Sequence, residues 1–94
     1  MRFENQTFSD QEVLLDGNQF VGVTFEDCRL VFAGIMPITL DSCSFRRCSW
    51  GFAGPAQNAV QFMTSMYALG GEGERLVEGT FRSIREGAEG FREA

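Results

Sequence analysis

The sequence predicts a mainly β fold, a short solenoid of two to three coils with a C-terminal α-helical cap. Three observations carry that prediction. From Leu15 to Trp50 apolar residues recur on a step of five: Leu15, Phe20, Phe25, Leu30, Ile35, Leu40, Phe45, Trp50. A second series two residues ahead (Val13, Asn18, Val23, Cys28, Ala33, Ile38, Cys43, Cys48) is apolar except at Asn18. After Gly54-Pro55 the step of five gives way to helical spacing. A helix repeats about every 3.6 residues and a simple strand every ~2, so a step of five fits neither. It fits a coil in which each five-residue unit turns one corner and sends two side chains inward. The expected organisation is 1–54 repeat coils, 55–86 helical cap and oligomerisation segment, and 87–94 flexible tail.

Residues 1–14 echo the repeat imperfectly. Phe3, Phe8 and Val13 keep a step of five, and Leu15 then opens the main series, so the register slips by two between Asp10 and Leu14. Terminal coils of repeat proteins are usually atypical because they cover the open end of the stack. Phe3 and Phe8 are expected to lie over the first coil, with a short edge strand as the alternative.

From Gln19 the units read Gln-Phe-Val-Gly-Val, Thr-Phe-Glu-Asp-Cys, Arg-Leu-Val-Phe-Ala, Gly-Ile-Met-Pro-Ile, Thr-Leu-Asp-Ser-Cys, Ser-Phe-Arg-Arg-Cys and Ser-Trp-Gly-Phe-Ala. If four units close a coil, residues twenty apart stack about 4.8 Å from one another. Leu15 then falls on Ile35, Phe20 on Leu40, Phe25 on Phe45 and Leu30 on Trp50, apolar on apolar in every column. The site before each central residue is mostly polar, as an outward position should be. Burying the central residues contributes ~1.5–3 kcal/mol each, the main source of stability in so short a stack.

These units resemble the pentapeptide-repeat family, in which a central Leu or Phe follows, two positions on, a small Ala, Cys, Ser or Val. The resemblance covers about forty residues. Asn18 at an inward site, Trp50 in place of Leu or Phe, and Pro37 in an outward position depart from the pattern. The resemblance implies a right-handed quadrilateral β-helix, four units to a square turn.

Among outward positions, Phe32 and Phe52 are twenty apart and, with Val31 and Met36, are expected to form an apolar ladder on an outer face. Such a patch on a small protein marks a contact surface, to be covered by the C-terminal segment or a second subunit. Pro55 at a first helical position opens a helix to Leu69, with Ala59, Phe62, Met63 and Met66 on one face and Val60 and Tyr67 widening it. Gly70-Gly71 stops it. Over Glu72–Glu86, Leu76, Val77, Phe81 and Ile84 are spaced for a second helix, and Glu72, Glu74 and Glu78 suit its N-terminus. Gly79 leaves a strand open. Arg85–Ala94 has little apolar content and reads as a frayed tail. The candidate interface is therefore Phe32, Phe52, Phe62, Met63, Met66 and Tyr67.

The chain has 94 residues and a net charge of -5; all eight basic residues are Arg, and there is no Lys or His. That acidity argues against nucleic acid or an anionic membrane as partner. Lack of His removes the usual general base and a common metal ligand. No apolar run approaches the ~20 residues of a membrane span. Three Cys without an apolar leader suit a cytoplasmic protein with reduced thiols. Cys28, Cys43 and Cys48 all take the small inward site, where Cys packs as a compact apolar residue; zinc is disfavoured without a C-x-x-C pair. A Cys28–Cys48 disulfide would need an oxidising compartment. Gly70-Gly71-Glu72-Gly73-Glu74 lacks the Lys-Ser/Thr of a phosphate loop, and Glu26-Asp27 lies outward with no desolvated pocket.

No nucleophile–base–orienter set is present, so the expectation is a protein that is not an enzyme and takes no cofactor or metal. The leading function is a protein-interaction or scaffolding module that forms a homodimer or higher homo-oligomer through the C-terminal helix or the outer ladder. Its other protein partner is unknown. The family resemblance implies an alternative: an acidic mimic of DNA that dimerises through C-terminal helices and binds a DNA-processing enzyme such as gyrase. Residues 1–54 carry seven acids and four Arg, sparse beside one charge per ~1.7 Å of duplex axis. A phage- or defence-related inhibitor is a further expectation without a feature of its own.

Overall fold

A computed structural model describes residues 1–93, with side chains through residue 90. Nine short strands precede two helices: β1 Arg2–Glu4, β2 Thr7–Ser9, β3 Glu12–Leu14, β4 Gln19–Val21, β5 Thr24–Glu26, β6 Arg29–Phe32, β7 Thr39–Asp41, β8 Ser44–Arg46, β9 Ser49–Phe52, α1 Gly54–Leu69 and α2 Gly71–Glu93. The strands form three parallel sheets, β1-β4-β7, β2-β5-β8 and β3-β6-β9. Each sheet takes one strand from each of three successive coils, which makes the fold a short β-solenoid. The chain divides into two compact units, with the first spanning Met1–Asn58 and the second starting at Ala59.

Phe20 pairs with Leu40, Phe25 with Phe45 and Leu30 with Trp50, as the step of five predicts. Phe3 and Phe8 stack on Phe20 and Phe25 with ring centroids 5.3 and 5.6 Å apart and nearly parallel planes. They belong to a full first coil of three strands, so the expected cover and the edge strand describe the same residues.

The corners explain both the regularity and its failure. Two residues after the central position, Asn5, Asp10, Asp27, Ser42 and Arg47 have φ of 51–55° and Gly22 has 63°. A left-handed residue bends the chain sharply, and Gly, Asn and Asp adopt it most readily. The same position on the third side holds Leu15, Phe32 and Phe52, none of which is left-handed. The strand runs on there: β6 and β9 have four residues. The fourth side contains no strand, and coils one and two are offset by 17 residues rather than 20 (Arg2 against Gln19, but Gln19 against Thr39).

This overturns one stacking expectation. Leu15 does not lie under Ile35: Leu15 is 2% exposed and Ile35 71%. With Leu14 opposite Val31 and Leu15 N–H bonded to the Val31 carbonyl, Leu15 continues into Phe32, and Val13 takes the central site against Leu30.

Helix α2 replaces the strand alternative for 72–86. It also runs through 87–93, where a flexible tail was expected. Glu, Arg and Ala there are adequate helix formers and no Pro interrupts them, so Gly87 and Gly90 lower helix propensity without ending the helix. Ala94, the last residue of that expected tail, lies outside the described residues. Where α1 meets α2, Gly70 and the first residue of α2, Gly71, have φ of 72° and 55°, the conformation that terminates a helix at little steric cost to glycine.

Candidate interaction surfaces

The first unit holds a core of Leu15, Phe20, Val23, Phe25, Cys28 and Leu30, flanked by half-buried Phe3, Phe8, Val13, Phe32, Ile38, Cys43 and Cys48. Five of the six core members, Phe20 to Leu30, lie in the second coil, which has a neighbour on each side, and Leu15 joins them from the first. In the third coil the same columns open to solvent. Phe20, Phe25 and Leu30 are 0% exposed, whereas Leu40, Phe45 and Trp50 above them are 38%, 39% and 54% exposed.

Phe32 and Phe52 face each other in register across β6 and β9, as expected, but they are not a purely outer ladder. Side chains alternate along a strand, so Phe32 shares the face of Leu30 and packs against the core. The column begins buried at Leu15, is half-buried at Phe32 and ends exposed at Phe52. Arg29, on the outer face, lies over Gly51, where an added Cβ would come within 2.7 Å of its Nη2.

Two polar devices tie the coils together. Asp16 lies on the strandless fourth side and accepts from the backbone N–H groups of Ala33 (2.7 Å), Ile35 (2.8 Å) and Met36 (3.3 Å). Its carboxylate substitutes for a missing strand edge. The Ala33 N–H first, with Ile35 and Met36, outweighs partial desolvation and holds the Asp16 carboxyl below its usual pKa. On the outer faces, ion pairs run between coils: Glu12 with Arg29, Glu26 with Arg46, and Asp27 with Arg47. The last is two-pronged, Nε and Nη2 donating at 2.7 and 3.1 Å. It lowers the Asp27 pKa and raises that of Arg47.

The three cysteines are free thiols. Each donates its S–H to a carbonyl of the preceding coil at 3.4 Å: Cys28 to Phe8, Cys43 to Phe20 and Cys48 to Phe25. Among the described residues no three His, Cys, Asp or Glu gather where they could hold a metal ion, and no described helix is long and apolar enough to cross a membrane.

In the helices, α1 contains no buried residue although most of its side chains are apolar. Of its expected interface residues, Phe62 and Tyr67 are exposed and Met63 and Met66 half-buried. On α2, Val77 is buried while Leu76, Phe81 and Ile84 are exposed. Glycine is required at residue 73, where an added Cβ would strike the Met66 carbonyl. Tyr67 is turned toward α2, where the charges of Glu74 and then Glu78 push its phenol above 10.0.

This chain matches no known family profile, curated protein or solved structure.

Two groups escaped sequence reasoning. Asp16 carries no signal in the sequence, because its spacing from Ala33 means nothing until the fourth side is known to lack a strand. The exposure of Leu40, Phe45 and Trp50 is the other, because periodicity identifies a column and not whether a further coil covers it.

Proposed function

We propose that this chain is a non-catalytic protein-interaction or scaffolding module that self-associates through its C-terminal helices into a homodimer or higher homo-oligomer. The supporting observation is the apolar content of the helices: α1 has no buried residue, and Leu76, Phe81 and Ile84 are exposed on α2. Leaving such side chains in water forfeits about 1.5–3 kcal/mol each, and large exposed apolar patches mark association surfaces.

Mimicry of DNA receives less support. Glu4, Glu12, Glu26 and Asp27 are each paired with an Arg, and Asp16 is bound to backbone N–H groups. These pairings leave little of the coil unit's negative charge unpaired, unlike a duplex.

Light scattering over a dilution series tests the proposal. The expected result is a mass at least twice that of the 94-residue chain at micromolar concentration, reduced by Phe81→Glu with Ile84→Glu. A wild-type mass equal to one chain at every concentration, or an unaltered mass in that variant, would overturn it. Gyrase supercoiling unaffected by micromolar protein is the expected result of the companion assay.

A further inference from the structure

The outer edge of the third coil and the outer edge of the first are complementary, and we propose that a second copy of this chain stacks there head to tail, continuing the solenoid. The apolar part is the ring of Leu40, Phe45 and Trp50, exposed at one edge, against Phe3, Phe8 and Val13 at the other, half-buried. Within one chain the same two kinds of ring already stack, Phe3 on Phe20 and Phe8 on Phe25.

The backbone ladder supplies the hydrogen-bond partners for such a stack. Between coils one and two, the N–H groups of Gln19, Thr24 and Arg29 donate to the carbonyls of Met1, Gln6 and Gln11. Between coils two and three, those of Thr39, Ser44 and Ser49 donate to Asn18, Val23 and Cys28. In every case the residue before a central position donates to the residue two before the central position of the preceding coil. Continued by one step, the carbonyls of Ile38, Cys43 and Cys48 are the acceptors at the third-coil edge. The N–H groups of Arg2, Thr7 and Glu12 are the matching donors at the first-coil edge. An unprotected parallel edge is a template for further pairing.

Charge points the same way. The corner column reads Asp10, Asp27, Arg47 from coil to coil, and the next member in a head-to-tail stack is Asp10 of the second copy. Arg47 spends two of its donors on Asp27, and a guanidinium has five. Asp41 would meet Glu4, but Glu4 is already paired with Arg2. A head-to-tail interface that does not close into a ring grows into a filament.

Trp50, the single tryptophan, lies at one edge and Asp10 at the other, so a substitution at Asp10 alters Trp50 only if heads meet tails. Arg47 occupies the corner equivalent to Asp10 with a similar φ (51° against 54°), which makes Asp10→Arg compatible with the turn; in its own chain the new Arg faces Asp27. The experiment follows Trp50 emission over a concentration series of the full chain. The expected result is a shift to shorter wavelength as concentration rises, also present in Ile84→Glu, where helix association is weakened. The onset should move at least tenfold higher in Asp10→Arg and less in Asp10→Asn, which keeps the left-handed corner. Emission independent of concentration, or the wild-type onset in both Asp10 variants, would overturn the proposal.

Discussion

Asp16 joins two coils through one side chain. Its two oxygens collect three backbone N–H groups that, on the other sides, a neighbouring strand would satisfy. Because its pKa is lowered on folding, its contribution is present above the unfolded value of 3.8 and is lost as pH falls through the lower folded value. Asp27, lowered by Arg47, acts in the same window and with the same sign. The melting temperature should therefore decline as pH falls below about 4. Asp16→Asn, which lacks the carboxylate charge, should melt lower than wild type at pH 7 and lose part of that acid dependence. Equal melting of the two proteins at pH 7 would contradict this account. At the opposite corner Gly22 has φ of 63°, and an added Cβ would lie 2.5 Å from Asn5 Oδ1. Gly22→Ala should cost about 1–2 kcal/mol, read as a drop in the denaturant midpoint at unchanged slope.

At the scale of elements, the solenoid sides and the helices show what a sequence can reveal and what it hides. The step of five identified the columns of Phe20, Phe25 and Leu30 because those sides are short strands joined by left-handed corners. The count failed across the fourth side, which takes seven residues from Val13 to Phe20 and ten from Leu30 to Leu40. Ten preserves a step of five by coincidence, so Leu15 and Ile35 looked like members of one column when only the first is inside. A corner residue was readable at Asn5, Asp10, Gly22, Asp27 and Ser42. The bulky Leu15, Phe32 and Phe52 at the equivalent third-side site were the unread sign of a strand that runs on. Phe32 therefore packs against the core rather than facing wholly outward. Glycines misled in the helices: Gly79 suggested a strand, and Gly87 and Gly90 a tail, yet α2 contains all three. An added Cβ at Gly79 or Gly87 meets nothing within 4 Å. Gly79→Ala and Gly87→Ala should each stabilise α2 by about 0.5–1 kcal/mol, seen as greater helical ellipticity and a higher midpoint. Gly73→Ala should do the reverse because of the Met66 carbonyl.

Across the whole coil unit, stability is concentrated in the middle. Phe25 and Phe45 are the same residue type at the same place in successive coils, with ring planes 3° from parallel and centroids 5.4 Å apart. Phe25 has a coil on each side and is 0% exposed; Phe45 has one and is 39% exposed. A uniform repeat would make the two equivalent, whereas the burial says they are not. Truncating a fully buried Phe to Ala costs about 3–5 kcal/mol, a large share of the ~5–15 kcal/mol that holds a small domain together. Phe25 also lies in the ring sequence Phe8, Phe25, Phe45 and beside Phe20, so its removal leaves a cavity that several rigid rings cannot close. Phe25→Ala should abolish or severely lower the cooperative thermal transition of the β unit, followed by the Trp50 signal. Phe45→Ala should keep that transition and lose less than half as much, because water already reaches the ring. The comparison is made at a concentration low enough that chains do not associate, since a second copy over the third coil would bury Phe45 and raise its cost toward that of Phe25. Equal losses in dilute solution would mean that the third coil contributes as much to the fold as the second, contrary to the gradient of burial along the stack.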